Sequence, residues 1–196
     1  MNIKILEKWC PNVQSVKYYN ETEWEKLTSY QVQEKALDKL FNILCPKNND
    51  LSDILIKCSV LNKFYSTNVY HINNLANHIM KLNIDTRLKN GDITLVNEMA
   101  EVPTGKPRYY SFATKYCSRH FPELFPIYDS NVELVLKYFR EKDNFISFKN
   151  EDLKDYLKFV EIINSFRIKY GLTQFNYKEL DIYLWQLGKK AARKDK

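Results

Sequence analysis

The chain has 196 residues, of which 44% are apolar and 14% aromatic, and a formal charge of +6. That is enough apolar material for one domain of ordinary size with a real core, which excludes a disordered or low-complexity chain. No run of 18 apolar residues is present, which excludes a helical membrane span, and the start "MNIKILEKWCPN" turns polar too soon for a secretory leader. A cytoplasmic, membrane-free protein is the expectation. The pI near 9.0 permits an anionic partner.

Apolar residues recur at helical spacing along nearly the whole chain. Thr22 and Glu25 have the spacing of a capping box. They predict a helix running to about Cys45, with Leu37, Leu40, Phe41 and Leu44 inward. "CPKNND" ends that helix, and Ser52 or Asp53 can start the next, "DILIKCSVLNKFY". A third helix is predicted over about 69–82, with Val69, Ile72, Leu75, Ala76 and Ile79 on one face. "NGD" at 90–92 is a turn, from which Asp92 can cap a short helix ending near Ala100. After "EVPTGKPR" comes a helix over about 108–120. "FPELFPIYD" then leads into another, to about Arg140. Helices near 151–170 and 177–191 close the chain, with Gly171 placed to stop the first of them. No repeat, linker or alternating strand pattern interrupts this order. The fold class is all-α, a single helical domain over 1–196 of about eight helices.

Cys10, Cys45, Cys58 and Cys117 are scattered, without a CxxC pair or iron–sulfur spacing. Free, mostly buried thiols are expected. His71, His78 and His120 lack the spacing of a zinc site, so neither metal nor cofactor is expected. There is no P-loop, GxSxG or HExxH motif.

The stretch "TGKPRYYSFATKYCSRH" at 104–120 contains no Asp or Glu. At about 100° per residue, Tyr109, Phe112, Ala113 and Tyr116 share one face, which should be core. Arg108, Ser111, Lys115 and Arg119 share the neighbouring face. A basic stripe beside an apolar one suits a phosphate backbone, and it equally suits plain solvation. Downstream, "FPIYDSNVELVLKYF" raises a second question. Asp129 begins a helix just after a run of apolar residues and a proline. Asp is a common helix cap, and a carboxylate at a helix end can also meet a substrate.

"YYSFATKYCSRHFPELFPIYDSNVELVLKYF" resembles the core of the helix-hairpin-helix–GPD superfamily of base-excision DNA glycosylases. "FPIYDSNV" is similar to the "FPILDGNV" type of sequence found in adenine-specific members. "DILIKCSVLNKFYSTNVYHINNLANHI" resembles the superfamily's early helix pair, and "KELDIYLWQLGK" its late helix. The resemblance spans roughly 51–188 and is specific only around Asp129. It implies a two-lobed helical fold, with lobes of about 85–140 and the remainder. It also implies DNA binding and a monofunctional DNA N-glycosylase, a hydrolase of base excision repair. Asp129 matches the catalytic carboxylate. Ser111 stands where bifunctional members carry a Schiff-base lysine and adenine-specific members a serine. Gly105 and Lys106 fall in the hairpin. Lys106, Arg108, Lys115 and Arg119 would contact phosphates of duplex DNA. The hairpin here has one glycine where G-x-G is usual. No glutamate stands near Cys58, and no iron–sulfur cysteines follow. A non-catalytic nucleic-acid-binding or protein-interaction module on the same scaffold is the alternative.

Overall fold

A computed structural model describes residues 1–103 and 107–193. Among these residues there is no strand, and the chain is all-helical. In order the helices are α1 (Ile3–Lys8), α2 (Val13–Tyr18), α3 (Thr28–Lys39), α4 (Leu51–Tyr65), α5 (Ile72–Lys81), α6 (Ile84–Lys89), α7 (Thr94–Ala100), α8 (Tyr110–His120), α9 (Ser130–Asp143), α10 (Tyr156–Lys169) and α11 (Tyr177–Ala192). No helix of the described residues is long and apolar enough to cross a membrane. All four cysteines are free thiols, and Cys45, Cys58 and Cys117 are buried.

The chain folds as two compact units. One joins Met1–Thr28 to the segment from Pro126 onward, and the other is Ser29–Phe125.

The terminal unit is organised by α11, which packs against α9, α1 and α2. Asn176 and Glu179 form a capping box that starts α11. Its apolar face (Leu180, Tyr183, Leu184, Leu187) is fully buried. The chain's start is tied to this helix near its end, since the Asn2 amide donates to the Ala191 carbonyl at 2.7 Å. Asn20 donates to the Glu179 carbonyl at 2.9 Å, and Tyr183 donates to the Trp9 carbonyl at 2.8 Å. Lys190 and Lys26 hold the Glu23 carboxyl down at about 2. Gly171 stops α10 as its position predicts, with φ at +63°. The amide of Leu172 closes the turn on the Arg167 carbonyl at 2.8 Å.

The central unit pairs α4 with α5 and α7 with α8, and α8 also packs on α4. Leu37, Phe41, Ile54, Leu61, Leu75, Ile79, Leu95, Met99 and Phe112 make its core.

Several boundaries differ from the sequence reading for local reasons. Thr22 does not cap a helix. It lies in the π-helical turn Tyr19–Glu23 that continues α2, whose cap is Asn12. Leu44 is 60% exposed, not inward. The end of α3 widens into a π turn, Leu40–Leu44, closed by the Cys45 amide on the Leu40 carbonyl at 2.8 Å. Each residue of a wider turn rotates less than 100°, so an α-helical wheel points Leu44 the wrong way. The cap of α4 is Asp50, earlier than either predicted residue; it accepts from the Ser52 amide at 2.8 Å. The predicted helix from Val69 begins only at Ile72. Ser66 and Asn68, at φ +49° and +57°, turn the chain between α4 and α5.

Candidate carboxylate and nucleic-acid interface

In the terminal unit, Asp129 caps the 14-residue helix α9. Its Oδ1 accepts from both the backbone N and the Nδ2 of Asn131, each at 2.9 Å. The approach to it is firmly set. Pro126, Ile127 and Tyr128 are buried, and Asp129 itself is half-buried. Tyr156 donates to the Pro126 carbonyl at 2.8 Å, and Tyr128 donates to Glu133, one turn into α9. Burial, and then the Glu133 carboxylate, push the Tyr128 hydroxyl well above its usual range, so it stays a donor. On the far side Gly188 of α11 meets the backbone of Asn131. A slot lined by Pro126, Ile127, Val132, Ile163, Tyr177 and Asp181 lies beside this turn. Its free volume of about 10 Å³ is that of one water, too small for a nucleobase.

The central unit holds Arg108, Ser111, Lys115 and Arg119. Gly105 and Lys106 lie outside the described residues. The apolar face of α8 is core as predicted, with Tyr109, Phe112, Ala113 and Tyr116 all buried. At Lys115 and Arg119 the basic stripe is not a solvated face: Lys115 is 3% exposed and Arg119 5%. Arg119 donates to both oxygens of Glu34 at 2.5 Å, to Asp38 at 3.1 Å and to the Tyr65 hydroxyl. Burial alone would depress its guanidinium. Tyr65 and Glu34 more than offset that and hold it above its usual value. Lys115 donates to Ser111 at 2.7 Å, and its ammonium lies over the Tyr65 ring. Arg108, partly exposed, pairs with Glu101, donates to Asn97 at 2.8 Å and lies over the Tyr110 ring. The reason for the difference is long-range. The carboxylates that answer Arg119 stand on α3, more than 80 residues earlier. No local pattern around α8 announces them.

Residues 14–124 match the N-terminal domain of the HI_0787_N family. The chain belongs to this family. An uncharacterized protein of Haemophilus influenzae strain Rd is 50% identical over 149 residues, which cover 74% of this chain and 71% of that protein. No solved structure matches. The family match ends one residue before the central unit does, at Phe125. It therefore takes in the whole of that unit's α3–α8 arrangement, and Asp129 lies beyond it.

Within the matched segment lies a polar cluster that the sequence reading missed. Asn48 is 3% exposed and all its side-chain capacity is used. Its Oδ1 accepts from Lys57 Nζ and from the Tyr116 hydroxyl, each at 2.6 Å. Its Nδ2 donates to Asp85 at 2.6 Å and faces His120 Nε2 at 3.2 Å. Its backbone N donates to the other Asp85 oxygen at 3.0 Å. Lys57, fully buried, also donates to the Lys47 carbonyl at 2.8 Å. Burial lowers its ammonium to about 8, against the opposing pull of Asp85. The cluster joins α4, α6, α8 and the loop before α4. Its sequence signal was available. Ile54, Lys57, Cys58 and Leu61 have i, i+3, i+4, i+7 spacing, so the lysine occupies an inward position. Among the described residues no group of His, Cys, Asp and Glu could hold a metal ion.

Proposed function

We propose that this chain is a DNA-binding, glycosylase-like protein on a two-lobed helical scaffold, cytoplasmic, with Asp129 as its working carboxylate. In this reading a base is flipped from its stack and its N-glycosidic bond is hydrolysed. Water adds to the sugar C1′, the C1′–N bond breaks, and the base leaves with the bonding electrons and gains a proton. The carboxylate stabilises the oxocarbenium character of the sugar and orients the water. Ser111 offers no amine, so the product is an abasic site with an unbroken strand.

The observation behind this reading is the degree to which Asp129 is constrained while staying half-exposed. A cap needs only an oxygen near the first amides. Asp129 has that, plus a second bond from the Asn131 side chain, a buried lead-in fixed by Tyr156, and α11 packed against the backbone of Asn131, two residues on. Such holding is what a reacting group requires. The test is base release from duplexes carrying mismatched, oxidised, alkylated or deaminated bases. Wild type should release a base from at least one, and Asp129→Asn, which caps almost as well, should fold yet release none. Release by the variant at the wild-type rate would remove Asp129 from the chemistry.

The burial of Lys115 and Arg119 favours a second reading, a non-catalytic module that meets nucleic acid or protein by another surface. No release from the whole panel by the wild-type protein would decide for it.

A further inference from the structure

Tyr70 is the most exposed large hydrophobic side chain of the central unit, at 79%. It stands in the turn between α4 and α5, and that turn is held in one conformation. The Asn62 side chain spans it. Its Oδ1 accepts from Thr67 Oγ1 at 2.8 Å and from the Val69 amide at 3.0 Å, and its Nδ2 donates to the Val69 carbonyl at 3.0 Å. Ser66 and Asn68 both adopt the left-handed region, which non-glycine residues enter at a cost. Val69, beside Tyr70, is 4% exposed and anchors the turn in the core. Folding thus fixes the backbone beneath an aromatic ring that the core does not use.

Around the turn the hairpin's own side chains are basic or neutral, and the carboxylate that reaches the end of α4, Glu34, is taken by the Tyr65 hydroxyl and Arg119. From Ile54 through Ile84 there is no Asp or Glu, and Asp53, in the first turn of α4, is the one acid of the two helices. Lys63, His71 and Lys81 are exposed there, as are the amides of Asn73 and Asn74. An apolar protein patch would meet a wider hydrophobic surface than a single ring. A negatively charged, aromatic-rich strand fits a rigid ring amid cations and amides.

We infer that the α4–α5 turn is a contact for single-stranded DNA, with Tyr70 stacking on an unpaired base and Lys63, His71 and Lys81 facing the phosphates. This rests on the DNA-binding reading above and adds where the strand lies. Aromatic–base stacking depends little on salt, whereas phosphate neutralisation depends on it steeply. Removing the ring therefore has a different signature from removing a charge.

The experiment is fluorescence anisotropy of a short labelled single-stranded oligonucleotide and of the matched, fully paired duplex, at several salt concentrations. Tyr70→Ala should weaken single-strand binding by roughly tenfold, within the range for loss of one stacked base, and leave the salt slope unchanged. The loss on the duplex should be smaller. Tyr70→Trp should bind at least as well as wild type, and Tyr70→Phe about equally, since the ring and not the hydroxyl makes the contact. Lys63→Ala with Lys81→Ala should reduce the salt slope. Because Tyr70 is exposed, all these variants should melt with wild type. Wild-type binding that Tyr70→Ala leaves intact would overturn the turn as the contact and leave the DNA-binding reading standing. Failure of the wild-type chain to bind either oligonucleotide would overturn both, and selective capture of a protein by the turn would replace DNA as its partner.

Discussion

A β-carbon built on Gly188 would lie 2.2 Å from the carbonyl oxygen of Asn131. The obstacle is backbone, and the backbone in question is the first turn of α9, two residues after Asp129. Helix α11 therefore approaches α9 at a point where only glycine fits. Gly188→Ala gains helix propensity, yet here it must push the two helices apart. Destabilisation of about 1–3 kcal/mol is expected, the usual range for overpacking. Urea unfolding would measure it. An unchanged or raised midpoint would mean that α11 and α9 sit further apart than described.

Asn48 is expected to matter more than the charge it holds. Asn48→Ala removes the acceptor shared by the buried Tyr116 hydroxyl and Lys57, which then keeps only the Lys47 carbonyl, and a buried group so orphaned costs about 1–3 kcal/mol. Lys57→Met removes the buried charge and keeps much of the volume, while Tyr116 still donates to Asn48. Burial already disfavours the Lys57 ammonium, so removing that charge also removes its desolvation cost. Chemical denaturation should therefore rank Asn48→Ala well below Lys57→Met in stability. The reverse order would show that the lysine charge, and not the amide node, holds the cluster.

What the sequence made legible was periodicity. The core faces of α5 and α8 follow from apolar spacing, and Gly171 from its position after a helix. What stayed hidden depended on partners distant in the chain. Arg119 reads as a solvated cation until Glu34 and Asp38 are brought to it. Leu44 reads as inward because a wheel assumes an α turn where the chain makes a π turn. Asp129 was legible as a cap from its neighbours alone. Its constraint by Tyr156 and Gly188 was not, since both reach it from later helices.

The burial of Arg119 changes what its charge reversal should do. With its side chain 4% exposed and bound to Glu34 and Asp38, Arg119→Glu would set three carboxylates together. This variant is expected not to fold, and Arg119→Ala to lose about 3–5 kcal/mol, as when one partner of a buried pair is removed. Circular dichroism melts without any nucleic acid would show it. A variant Arg119→Glu that melts with wild type would mean this face is solvated in solution and free to meet phosphate.

The last expectation concerns acid. Asn48 Oδ1 is taken by Lys57 and Tyr116, so Nδ2 is the atom facing His120, and Nε2 must be the unprotonated acceptor. Burial, and then the nearby Lys57, lower this imidazole to about 3, with Asp85 pulling the other way. In the unfolded chain it returns to its ordinary value of 6.5. Below that pH the unfolded state takes up a proton that the folded state refuses. Stability is thus full above 6.5 and falls continuously toward 3. Glu23 acts lower down: its depressed carboxyl contributes above 4.5 and loses that contribution as pH falls through about 2. Between 6.5 and 4.5 the histidine's share is about 2–3 kcal/mol, at 1.36 kcal/mol per unit. His120→Gln keeps an acceptor for the amide and cannot be protonated. Unfolding free energies taken at stepped pH should show a slope in this window for wild type and a flatter line for the variant, with the Glu23 loss below 4.5 common to both and the histidine's adding to it in wild type down to about 3. Equal slopes between 6.5 and 4.5 would mean that His120 titrates freely and that its bond to Asn48 does not form.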